Sequence, residues 1–507
     1  MSIELESFLN DSRGARVVPV SRKLFFSGET PLTIFEKLGA GRDDSFLLES
    51  ADQGVWSRYS FVGAVARGRL FQAMNGGVEW VSPTGASALP KDLALEMPVN
   101  PLDAIELIQS SWSTAFNSLG LPLSSGLVGM IGWDVVRDLE HLPTSKEQLL
   151  ETPRISFTMI RDLVVVDHQT SELTFISNVY VEGQSTQELT GEFEQAQSNI
   201  DEMLRLLKVP SQSYFANVDF EAELNPAANF TADDFRAVVA SAKEFVRIGD
   251  VFQVVLSQAF LGETDASPLE VYRVLRALNP SPYMYLINGA DTAGKFAIVG
   301  SSPEALVTVN QGHVVTHPIA GSRPRGATSE QDQEYEASLL VDNKERAEHL
   351  MLVDLARNDL LRVCEPSSVS VSEFMTVHKY SHIMHLVSTV EGELAKGHSA
   401  VQVFRATFPA GTLSGAPKPR ALEIIEGLEP THRGLYGGVC GYFDFAGNSD
   451  LAIAIRTAFM RDGKFVVQAG AGLVLDSDAE SEYQETRSKA RAVLRAIAAA
   501  TKAKQAS

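Results

Sequence analysis

At 507 residues, 44% hydrophobic and 21% charged, the chain has an ordinary globular composition, long enough for a large core and more than one lobe. Its formal charge of −21 argues against a nucleic-acid or anionic-membrane surface, and no run of about 18 apolar residues offers a membrane span. An anionic substrate would therefore need a local positive site made from a few Arg, Lys, backbone N–H groups or a cation.

The first residues, MSIELESFLNDSRG, are acidic and lack the apolar core of a signal peptide. Cys364 and Cys440 read as reduced thiols, so a cytoplasmic location is expected. Residues 44–51 read as a short buried strand that ends in Glu49 and Ser50. A glycine-rich strand followed by a helix is expected over 126–140, a β-pair from 163 and 172, and an amphipathic helix over 187–208. The best linker candidate follows it, which predicts an N-terminal α/β lobe over 1–225 and a larger domain over 226–500.

Thr231 to Asp234 reads as a capping box opening a helix to about residue 248. A strand then leaves a tight turn at Gly249, and Ser267 with Pro268 opens a second helix. Strands are expected around 283–287, 295–300 and 313–321, then one long helix from about 332 to 361. Three further strands end in a turn at Gly470-Ala471-Gly472 before the final helix. The pattern predicts an α+β fold in which large packed sheets form a β-sandwich core with helices on the outside.

Two helices carry paired carboxylates. Glu345, Glu348, Leu352 and Leu355 are spaced 3, 4 and 3 and share one stripe; Glu482, Glu485, Lys489 and Val493 repeat the pattern. A half-buried carboxylate pair is costly unless neutralised. The two pairs could converge on one hard cation with oxygen ligands, for which Mg2+ fits best, or pair locally with Arg346 and Lys489. At 317–326 a strand ends in Ala320, Gly321 and Ser322, where backbone and hydroxyl can approach a ligand; an exposed hairpin is the alternative. Gly411 to Gly415 read as a hydroxyl-rich turn ahead of a helix entered through Pro417 and Pro419. Arg456 stands in an apolar strand, where a charge is rarely left unpaired, and its fork suits a carboxylate. His378, His382 and His385 follow a 4-then-3 spacing among strand formers. A histidine metal cluster is discounted there, and His385 is either a core hydrogen-bonder or a catalyst.

Between about 230 and 495 the segments GDVFQVVLSQ, NPSPYMYLI, GSSPEALV, PIAGSRPRG, EHLMLVDLARNDL, FPAGTLSGAPK, RGLYGGVCGY, IAIRTA and QAGAGLVLDS occur in one order. In that order they resemble the chorismate-utilising enzyme family, in its anthranilate synthase component I branch. The resemblance implies that Glu348 and Glu485 ligate Mg2+, with Glu345 and Glu482 beside them. It implies that chorismate lies on Gly321, Ser322, Tyr436, Arg456, the Gly470-Ala471-Gly472 backbone and Lys489. Thr412 and His385 would stand near the enolpyruvyl group and the ring, and Glu304 would protonate the departing 4-hydroxyl. Isochorismate and salicylate synthases carry a lysine base where this chain has Gln253, and aminodeoxychorismate synthases carry a lysine where it has Ala320. Both differences point to ammonia as nucleophile and anthranilate as product. Ser50, Pro282, Tyr283 and Met284 match the family's tryptophan feedback site. Neither cysteine stands in a nucleophile elbow, so ammonia is expected from a separate glutamine amidotransferase subunit. The alternatives are an aminodeoxychorismate synthase component I, an enzyme that stops at aminodeoxyisochorismate, and a silent tryptophan-binding subunit.

Overall fold

Two sheets face each other and share a strand. The computed structural model describes residues 3–50, 58–93, 95–114, 119–142, 146–210, 215–379 and 383–505. The first sheet runs from Gln253–Glu263 through Lys464–Leu473, Thr457–Arg461, Gly294–Ser302, Tyr283–Asp291 and Phe46–Glu49 to Tyr59–Gln72, every pair antiparallel. Tyr59–Gln72 then pairs Ile155–Asp167. That long strand also opens the second sheet, through Gly126–Ile131, Val439–Asp444, Ser449–Ile453, Ala305–Asn310 and His313–Thr316 to Ile383–Glu393. Among the described residues 21 strands thus form one hydrogen-bonded network.

Alternation along these strands decides which side chains meet. Phe46, Phe61, Tyr285, Ile298 and Phe459 from one sheet pack against Val128, Met130, Cys440 and Ala452 from the other. The opposite faces are covered by helices. Pro268–Leu278, Ala479–Lys502 and, against the Gln253–Glu263 strand, Lys418–Leu428 cover the first sheet, and Ala400–Thr407 the second. This is the α+β sandwich expected from the pattern. The boundary expected near residue 225 is not a break in hydrogen bonding, because the Phe46–Glu49 and Gly126–Ile131 ladders both cross it.

Several local expectations need correction. The helix expected from 332 to 361 is two helices, Ser329–Val341 and Asn343–Leu360, parted where the Asp342 carboxylate caps the N–H groups of Lys344 and Glu345. Gly470-Ala471-Gly472 is not a turn: it lies inside Lys464–Leu473, in register with Ser257, Leu256 and Val255. Arg456 falls between Ser449–Ile453 and Thr457–Arg461, where its φ of 50° interrupts the strand. The helix expected after Ile131 is a 3-10 turn, Trp133–Asp138. The Ser267 cap stands as expected, with its reciprocal Glu270 bond. Both cysteines are buried and unbridged.

Candidate active site

The cleft is built where strand ends, one turn and two helix starts come together. Gly321 forms a bulge between Ile319–Pro324 and Ile383–Glu393, in a left-handed conformation with φ of 70°. A side chain there would be strained, and its Cβ would lie 3.1 Å from a Glu345 carboxylate oxygen. The bulge turns the Gly321 carbonyl to His385, whose Nδ1 donates to it at 3.1 Å. Burial lowers the His385 pKa, which favours neutral imidazole with its lone pair on Nε2. His378 is a strand residue bonded to Glu373, and His382 lies outside the described residues.

Glu304 follows the Gly294–Ser302 strand. Burial pushes its carboxyl up to about 7, against the Thr412 hydrogen bond and the charges of Lys489 and Arg456, which lower it. Thr412, in the turn Gly411–Leu413, donates to Glu304 Oε1 at 3.0 Å. Arg456 lies nearby, and its left-handed backbone presents its carbonyl to Ser301 N–H at 3.1 Å. Its guanidinium has no hydrogen-bond or ion-pair partner among the described residues, and burial lowers its pKa with only Glu304 opposing. An uncompensated guanidinium in such a place calls for an anion.

The opposite wall is the glycine strand. Leu256 pairs Ala471 in the ladder, whereas the N–H groups of Ser257 and Val255 go to Glu429 and to the Ser414 carbonyl. Gly470 and Gly472 therefore turn their peptide groups away from that strand. The Gly470 N–H meets the Tyr436 hydroxyl, and its carbonyl accepts from Lys489 Nζ at 3.1 Å. A Cβ at Gly470 would lie 2.7 Å from that hydroxyl, and one at Gly472 2.8 Å from Gln253 Nε2. Close approach explains both glycines. Tyr436 is braced by the buried Glu429–Arg433 pair, whose guanidinium stands 5.5 Å from the ring centre.

The carboxylate pairs lie at the mouth. Glu348 Oε1 accepts from Gln253 Nε2 at 2.8 Å. The Glu345 pKa is raised by burial and by the charge of Glu348. Glu482 is likewise raised by burial and by Glu485, while Lys344 from the other helix lowers it, so the two helix starts face each other. Glu485 pairs with Lys489 at 2.7 Å, the local partner weighed above. No group of three or more His, Cys, Asp or Glu is drawn together around a cation position among the described residues. Two mutually repelling, oxygen-only pairs on facing helices nevertheless fit a hard divalent ion in donor chemistry.

A family model described as chorismate binding enzyme matches residues 46–495. The chain belongs to the chorismate-binding enzyme family. It is 48% identical over 491 residues to anthranilate synthase component 1 of Mycobacterium tuberculosis, covering 96% of this chain and 93% of that one. The crystal structure of anthranilate synthase component I from Streptococcus pneumoniae superposes with a TM-score of 0.75 at 32% identity, covering 93% and 99% of the two chains. The menaquinone-specific isochorismate synthase of Escherichia coli shares the fold, with a TM-score of 0.68 at 18% identity over 98% and 99%.

For a chorismate-binding enzyme, the folded chain draws together Glu304, Thr412, Arg456, His385, Gly321, Tyr436, Gly470 and Lys489 around one cleft. Ser322 pairs with His385 across the bulge. Three supports escaped the sequence reading: Lys344 facing Glu482, Ser301 holding the Arg456 backbone, and Arg433 with Glu429 behind Tyr436. Only the last had a visible signal, opposite charges four residues apart. The residues matched above to a feedback site lie elsewhere. Met284 pairs Glu49 in the ladder, so segments more than 230 positions apart are antiparallel neighbours, and the buried Ser50 hydroxyl has no partner among the described residues.

Proposed function

We propose that the chain is the chorismate-converting subunit of an anthranilate synthase. The observation that carries this reading is the Glu304 carboxyl near pKa 7 beside Arg456, whose guanidinium is unpartnered among the described residues, the pairing of a proton donor with an anion seat. Arg456 takes a chorismate carboxylate in a forked hydrogen bond, and Lys489 adds a second positive charge. Ammonia forms a bond to ring carbon 2 as the bond from carbon 4 to its hydroxyl breaks. Glu304 gives the leaving hydroxyl its proton, so water departs, and Thr412 orients that carboxyl. The aminodeoxyisochorismate so formed then loses the carbon 2 proton and the enolpyruvyl ether bond, giving anthranilate and pyruvate. His385 Nε2, neutral and aimed by Gly321, assists this elimination.

Glu348 and Glu485, with Glu345 and Glu482 beside them, would hold Mg2+, whose chemistry when bound is to polarise a substrate carboxylate. Gln253 is an amide engaged with Glu348 and cannot act as a base for water, which favours ammonia as nucleophile. The ammonia comes from a glutamine amidotransferase partner. Tryptophan binds at Ser50, Pro282, Tyr283 and Met284 and inhibits. The route from that pocket is short: Tyr283 and Met284 pair with Ser302 and Ser301, and Ser301 holds Arg456. The test is incubation with chorismate, Mg2+ and ammonium. Equal amounts of anthranilate and pyruvate are expected, and chorismate consumption without anthranilate would sink the reading.

A further inference from the structure

The ladder between Phe46–Glu49 and Tyr283–Asp291 ends at Glu49 and Met284. The same register carried on by one residue sets Ser50 opposite Tyr283. Alternation separates the side chains on this strand. Glu49 points outward to Tyr272 and Arg276, whereas Leu48 belongs to the cluster between the sheets. Ser50 therefore faces the space between the sheets, with Tyr283.

Asp450 reaches the same space from the second sheet. It lies cross-strand from Tyr442 and, two residues before Ala452 on the same strand, shares the inter-sheet face with it. The Tyr283 hydroxyl hydrogen-bonds its carboxyl, yet Oδ1 is buried with no partner among the described residues. Burial pushes this carboxyl up to about 6, with the Tyr283 bond opposing. Two polar atoms without partners among the described residues thus lie on either side of Tyr283: a hydroxyl able to donate and a carboxylate oxygen able only to accept when ionised. Leu48, Phe61 and Tyr442 supply apolar surface beside them.

An α-amino acid with an apolar side chain has the complementary set of a carboxylate, an ammonium and a hydrophobic body. Resting on the regulatory reading above, we infer that Asp450 is the counter-ion for the ammonium group of the amino acid bound at Ser50 and Tyr283. Asp450 thereby makes the pocket selective for amines. The incoming ammonium supplies the missing donor to Oδ1 and holds the carboxyl ionised in a place where burial alone favours the acid.

Calorimetry on the full chain, with L-tryptophan and its des-amino analogue indole-3-propionate, tests this without a variant. L-Tryptophan should bind at least about tenfold more tightly than indole-3-propionate, the discrimination expected of a buried charge partner. Asp450→Asn should weaken L-tryptophan by a similar factor and bring the two ligands together, and Tyr283→Phe should weaken it less. Equal affinity of the unmutated chain for both ligands would overturn the assignment, as would unchanged discrimination in Asp450→Asn. Tight L-tryptophan binding in those cases leaves the regulatory pocket standing. No heat with L-tryptophan at all removes the pocket itself, and the assignment with it.

Discussion

Thr412 donates its hydroxyl to Glu304 across 3.0 Å, tying the Gly411–Leu413 turn to the end of the Gly294–Ser302 strand. It is the one hydrogen bond among the influences on that carboxyl, and it favours the ionised form against burial. The pH behaviour of the enzyme should follow from this balance. In the proposed mechanism the protonated acid is the working form, so kcat/KM, at fixed unprotonated ammonia, should fall as pH rises through about 7. Thr412→Val removes a lowering influence and should move that limb to higher pH.

The same carboxyl affects stability with a definite sign. Its folded pKa of about 7 lies above the ordinary 4.5, so the folded chain holds a proton that the unfolded chain releases. Its presence costs nothing below about 4.5 and progressively more as pH rises to about 7. Glu304→Gln should therefore raise Tm at pH 8 but not at pH 4, while kcat falls by about 10²-fold or more. A Tm difference independent of pH would show that Glu304 is not buried as an acid.

Arg456 offers a second separation of stability from function. Its buried guanidinium has only Glu304 opposing the loss of hydration, so Arg456→Met should leave Tm unchanged or raised. The chorismate KM should rise more than about tenfold, since a charge-assisted fork is lost. Lower Tm with unchanged KM would refute the anion seat.

Glu485 is half exposed, at 47%, and its pairing with Lys489 is a surface one. Glu485→Gln should change stability by less than about 1 kcal/mol. Mg2+-supported turnover should nevertheless be abolished, and near-normal turnover would remove Glu485 from the proposed metal site.

Ser50→Ala removes a buried hydroxyl with no partner among the described residues, so the fold should be as stable or slightly more so. Tryptophan inhibition, measured against the variant's own uninhibited rate, should weaken. An unchanged inhibition curve would place the feedback site elsewhere.

Local chemistry was legible in the residues themselves. The Ser267 cap and the carboxylate stripes follow from spacing and side-chain type, and the fold retains both, whereas Arg456, expected paired within a strand, lies at a strand break with no side-chain partner among the described residues. Asp342 followed three residues later by Glu345 is a further local signal, marking the helix start that divides 329–360. Gly470-Ala471-Gly472 misled because small residues in a row resemble a turn, whereas here Tyr436 and Gln253 press against a strand and leave no room for a Cβ.

The sequence alone determined the sandwich with outer helices, the family and the types of group available for the chemistry, because periodicity and motif order are properties of neighbouring residues. Only the tertiary structure decided which of those groups share a field. Burial sets Glu304 near 7, a left-handed break at Arg456 fixes its backbone to Ser301, and a bulge at Gly321 turns its carbonyl to His385. Desolvation and antiparallel register depend on segments far apart in the chain, as Glu49 against Met284 illustrates, and no local pattern encodes which distant strand will arrive.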